Sequence, residues 1–148
     1  MKKFIYKYER LLNIREIEEK REYAILTKIR NQVKLKEEEQ INKKEEINIT
    51  ENTIKNFDKF TIEELKYFAA LLSEQNKELE KIIVEKRDLI KKEKEQEKKV
   101  IEISRAKKTL EKLKEKHRII FNKEEEKKLN KFLDELGTQK FLNNRERI

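Results

Sequence analysis

The chain has 148 residues, of which 47% are charged and only 35% hydrophobic, with one Gly, no Pro, no Cys and a formal net charge of +8. That composition excludes an ordinary globule, which carries about 25% charged residues and turns its chain on Gly and Pro, and it excludes disulfides and thiolate metal sites. It predicts long solvated helices with a narrow apolar seam; the regular aliphatic spacing and the absence of Pro argue against disorder, the other state open to so charged a chain.

The start, Met1 to Tyr8, has no apolar core of a signal peptide because Glu9 and Arg10 follow at once. No stretch approaches the ~18–20 consecutive apolar residues of a membrane span. The expectation is a soluble, cytoplasmic protein. Basic and acidic residues are interleaved along the chain, so an Arg-rich block of the kind that reads DNA is missing and nucleic acid is not an expected partner.

A first helix is predicted over about 3–47. Its seam reads Phe4, Tyr8, Leu11 or Leu12, then Leu26, Ile29 and Val33 at alternating spacings of three and four. Between those anchors the heptad positions hold Arg15, Glu18, Glu19 and Glu22. This polar gap is either a wet stretch of coiled coil or a surface reserved for another protein. Asn48, Thr50, Asn52, Thr53, Asn56 and Asp58 then accumulate, side chains that compete for backbone hydrogen bonds and favour turns. A connection is therefore expected over about 48–60. Thr61-Ile62-Glu63-Glu64 fits a capping box, which starts a second helix.

The window 62–72 is the most apolar of the chain, and Phe68 and Leu72 in it either pack around the turn or form an exposed binding patch. The second seam continues through Ile103, Leu110, Leu113 and Ile120, with the lone histidine, His117, among them. The helix is expected to run over about 61–136, either broken near 73–76 or overhanging its shorter partner. Gly137 occupies the place of a C-terminal capping glycine, leaving a frayed tail over 137–148. Spacing also predicts i, i+4 ion pairs, among them Glu39–Lys43 and Glu124–Lys128. The fold class that results is all-α: a long antiparallel two-helix coiled coil with a short helical or turn region in the middle, in a single domain over 1–148.

No catalytic or metal-binding residues emerge. His117 has no second His or Cys to assist it, and the many carboxylates lie on open helix faces where nothing tunes them for acid–base work. An enzyme is not expected, nor are a cofactor and a small-molecule ligand.

Both ends nevertheless resemble a known family. Phe4-Ile5-Tyr6-Lys7-Tyr8-Glu9-Arg10-Leu11-Leu12, followed by Ile14-Arg15 and Glu18-Glu19, is similar to the start of FliJ proteins of flagellar type III export. Leu110-Glu111-Lys112-Leu113, then Glu124-Glu125-Glu126 and Leu133-Asp134-Glu135-Leu136 with Phe141 beyond, resembles that family's C-terminal signature. Gly137-Thr138 departs from it, since the family continues helically there. The resemblance implies a stalk-like coiled coil that docks in the hexameric flagellar export ATPase, assists its assembly and meets its regulator. It also implies links to an export-gate membrane protein and to chaperones of late substrates, at the inner face of the cell membrane at the flagellar base. On that reading Arg15, Glu18, Glu19 and Glu22, expected to face Glu124 to Lys128, form the ring-docking surface, and Phe68 with Leu72 the gate or chaperone contact. Alternatives are a self-assembling structural scaffold and the equivalent stalk of a virulence secretion system. The isolated chain is expected to be a monomeric hairpin.

Overall fold

The structure, a computed structural model, describes residues 2–146. It is all-α among those residues: α1 spans Glu9–Lys55 (47 residues) and α2 spans Ile62–Glu146 (85 residues), packed antiparallel. Contacts divide the chain into unit 1, Met1–Glu18 with Ile103–Ile148, and unit 2, Glu19–Glu102.

In unit 2 the heptad seam of α1 runs without interruption through Glu19, Glu22, Leu26, Ile29, Val33, Lys36, Gln40, Lys43, Ile47 and Thr50, all buried or half-buried. This continuity explains why the helix outlasts the expected boundary at 47. Thr50 and Thr53 donate their hydroxyls to the carbonyls of Glu46 (3.1 Å) and Ile49 (2.8 Å), so these turn-prone side chains satisfy themselves inside the helix. The burial of Ile47 and Thr50 then outweighs local propensity. The connection shrinks to 56–61. Thr61 caps α2 as its sequence predicts, its hydroxyl accepting from the Glu64 amide at 3.2 Å.

The helix is continuous through 73–76, where a break was one expectation. Gln75 in that stretch is a buried seam residue, so the polar Ser73–Asn76 run interrupts the hydrophobic pattern but not the heptad.

Unit 1 differs from expectation at both ends of the sequence. The first helix does not start at residue 3: residues 2–6 are non-helical, with α1 beginning at Glu9. Phe4 and Tyr6 lie two apart and both turn inward, the period of extended chain rather than of helix. Tyr6 is 5% exposed and donates its hydroxyl to the Leu110 carbonyl at 2.9 Å. Tyr8, expected in the seam, is exposed instead. At the other end α2 continues through Gly137 to Glu146, and Gly137 has no positive φ. With no Pro after it and Thr138 donating its hydroxyl to the Asp134 carbonyl (2.9 Å), the glycine is carried inside the helix, at a cost of about 1 kcal/mol relative to Ala. Of the expected tail, Arg147 and Ile148 lie outside the described residues.

Candidate partner-binding surfaces

The two buried residues described in α2 are both glutamines, Gln75 and Gln96. Gln96 donates to the Glu22 carbonyl at 3.0 Å and to the Glu22 carboxylate at 2.5 Å. Glu22 is therefore turned into the seam, toward α2. Gln75 Oε1 has no hydrogen-bond partner among the described residues. Flanking these layers, ion pairs tie the helices of unit 2 together: Arg30 to Glu93 (3.4 Å) and Glu97 (2.8 Å), Lys36 to Glu85 (2.6 Å), and Lys43 to Glu78 (2.5 Å). Lys86 adds Glu37 at 3.4 Å and the Gln40 side chain at 3.2 Å.

These contacts shift titrations in one sense. Hydrogen bonds donated to Glu97 first, then to Glu93, hold the Arg30 guanidinium charged more firmly. Glu85 and then Glu39 raise the Lys36 ammonium, and Glu46 and then Glu78 raise Lys43. Glu85 is lowered in turn, chiefly by its bond from Lys36. The intrahelical pairs sit one residue closer than expected: Glu39 bonds Lys36, and Lys43 bonds Glu46, both at i, i+3. Lys128 likewise approaches Glu125 at 3.6 Å.

The six residues expected to dock a partner fall on both sides of the unit boundary. In unit 1, Arg15 bonds Glu18 at 2.9 Å, both half-buried. Glu19 and Glu22 belong to unit 2. Glu124 and Lys128 are exposed, and Arg15 does not face them. Antiparallel pairing in unit 1 sets Glu9 against Lys114 (2.8 Å), Tyr6 against His117 (ring centroids 5.7 Å) and Phe4 against Phe121 (5.5 Å), so the stretch beside 121 is the extended N-terminus. Lys2, Phe121, Leu129 and Phe132 line an open recess there of about 540 Å³.

Of the expected seam, Leu12 and Leu26 are buried, while Phe4, Ile29, Val33, Ile103, Leu110 and Leu113 are half-buried. Ile120 is turned outward and Phe121 takes the seam position, in step with Leu110, Lys114 and His117 at spacings of four, three and four.

Phe68 and Leu72 in unit 2 are half-buried. Phe68 stacks edge-on against Phe60 (5.6 Å) and Tyr67 (5.5 Å), and Phe60 meets Phe57 (5.2 Å). The aromatic residues thus pack around the turn, while Phe57, Ile62, Leu65 and Tyr67 keep at least half their surface in solvent. In unit 1, Leu129, Phe132, Leu133 and Leu136 are also exposed. No helix of the described residues is long and apolar enough to cross a membrane. The chain matches no protein-family model, no curated protein and no solved structure.

Proposed function

We propose that the chain is a stalk-like adaptor of a type III protein export apparatus, docking in a hexameric export ATPase and linking it to the export gate and to substrate chaperones. The observation that supports this reading most is an adjacency. The two stretches that resemble FliJ proteins, at opposite ends of the sequence, share unit 1 except for Glu19, and there Phe4 stacks on Phe121 and Glu9 pairs with Lys114. A composite terminal surface of this kind suits insertion into a ring. The aromatic turn of unit 2, with Phe57 and Tyr67 exposed, suits the gate or chaperone contact.

The test is to titrate purified chain into a flagellar export ATPase while following hydrolysis and hexamer formation. Sub-stoichiometric chain should promote hexamers and raise turnover, and Arg15→Glu should weaken both while leaving helicity intact. Phe68→Ala should spare ATPase stimulation and impair gate binding. Absence of any effect of the wild-type chain on assembly and turnover would remove the proposal.

A second reading, a self-assembling scaffold, draws on the exposed Leu129, Phe132, Leu133 and Leu136 of unit 1. It predicts a mass that grows with concentration.

A further inference from the structure

The net charge is confined to one part of the chain. Of the 39 basic and 31 acidic residues, 20 of each fall in unit 2, leaving 19 and 11 in unit 1, so the whole +8 resides there. Within unit 1 the excess is ordered. Arg105, Lys108, Lys112, Lys116, Lys123 and Lys127 all lie within about 60° of one line along α2 at 100° per residue. The seam residues Ile103, Leu110, Lys114, His117 and Phe121 lie on the opposite side of the helix, toward α1 and the N-terminal stretch. All six cations are exposed, and none makes an ion pair among the described residues. On the same side Glu126 is the one carboxylate between 105 and 127 that reaches the stripe's margin. The six cover about 33 Å at 1.5 Å per residue. Ile119 and Ile120, 46% and 54% exposed, fill the place between Lys116 and Lys123.

We propose that this stripe is a docking surface for an anionic lipid bilayer, on which the chain lies peripherally. Five of the six cations are lysines, hydrated point charges on flexible stems, whereas recognition of fixed carboxylates or phosphates favours the planar fork of arginine. Fluid headgroups can move to meet a row of lysines. Each lysine brought to an anionic surface contributes roughly fivefold in partitioning, and the isoleucine pair offers a shallow apolar insertion among the cations. The proposal does not rest on the export reading, because its test contains no ATPase.

The experiment is co-sedimentation of the full chain with vesicles of phosphatidylcholine alone and of equal parts phosphatidylcholine and phosphatidylglycerol, at about 0.1 M salt where exposed charges still act over ~10 Å. The chain should bind the anionic vesicles and leave the neutral ones, with binding lost as salt is raised. The triple variant Lys108→Glu, Lys112→Glu, Lys116→Glu should lower partitioning by on the order of 100-fold. A charge-matched control, Lys66→Glu, Lys77→Glu, Lys94→Glu, alters exposed lysines of unit 2 and should retain binding. Helicity by circular dichroism checks both variants. Failure of the wild type to bind anionic vesicles overturns the proposal, as does equal binding to neutral ones. So does equal loss in the two triple variants, which would make net charge rather than the stripe responsible. Binding of duplex DNA in place of vesicles overturns it too.

Discussion

Unit 2 balances 20 basic against 20 acidic residues and ties its helices together with a series of ion pairs, whereas unit 1 carries all of the net charge and joins its segments through aromatic rings together with the Glu9–Lys114 pair. The two solve the same problem, a two-helix interface with few apolar residues, by different chemistry. In unit 2 polar side chains occupy seam positions, which costs stability but restricts how the helices can slide: a buried Gln96 has its partner only where Glu22 stands opposite. In unit 1 the N-terminal stretch is held by Phe4 and Tyr6, and most of the cations are left to solvent. Across the helices of unit 2 the pairs engage Arg30, Lys36, Lys43 and Lys86 with acids of the opposite helix, and the charges of the unit sum to zero; in unit 1 the surplus of cations over acids has no counterpart.

The comparison can be broken most forcefully at the two best-buried leucines, one in each unit. Leu12 is 4% and Leu26 3% exposed, so Leu→Ala at either should cost about 2–4 kcal/mol in denaturant unfolding. A much smaller cost at Leu26 would mean that ion pairs and not packing hold unit 2. Next comes Gln75, whose carbonyl oxygen is buried without a partner among the described residues. Gln75→Leu should stabilise the chain by about 1–2 kcal/mol in thermal denaturation. Gln96→Leu, which removes the bonds to Glu22, should loosen the register, read as broadened distances between paired spin labels across the helices of unit 2.

The pH response sharpens the contrast further. Glu85 is lowered in the folded chain, so its contribution is present above its unfolded pKa and lost as pH falls through the folded value. Lys36 and Lys43 are raised, so theirs is present below the unfolded lysine pKa and lost as pH rises through the folded value. Unit 2 should therefore loosen at both the acid and the alkaline limit, and added salt should weaken it at neutral pH. Amide exchange along 30–43 measures this; insensitivity to salt there would deny the ion pairs a role. The smallest effect is expected from truncation after Lys128. Every described residue beyond it is exposed, so unfolding free energy should change by under about 0.5 kcal/mol.

Much of this architecture was legible in the sequence. The spacing of Leu26, Ile29 and Val33 gave the seam, and Thr61 with Glu64 gave the start of α2. Less legible was the interior of the seam, because Lys36, Gln40, Lys43, Gln75 and Gln96 keep the heptad while breaking its hydrophobicity, and a pattern search follows hydrophobicity. Tyr6 was missed because the chain changes period there, from two to three and a half. The candidate docking residues could be named from residue types, but their partners could not. Glu22, a candidate docking residue of the polar gap, is bonded to Gln96, a residue 74 positions away. The basic stripe was hidden by interleaved acids until the helix face sorted one sign from the other.

Adaptor, scaffold and lipid-docking readings all depend on whether the helix pairing closes within one chain. Light scattering coupled to size exclusion, across a wide range of concentration, tests that directly. A closed hairpin gives a constant mass of 18.2 kDa. A dimer or a mass that climbs with concentration would contradict the closed hairpin and favour the scaffold.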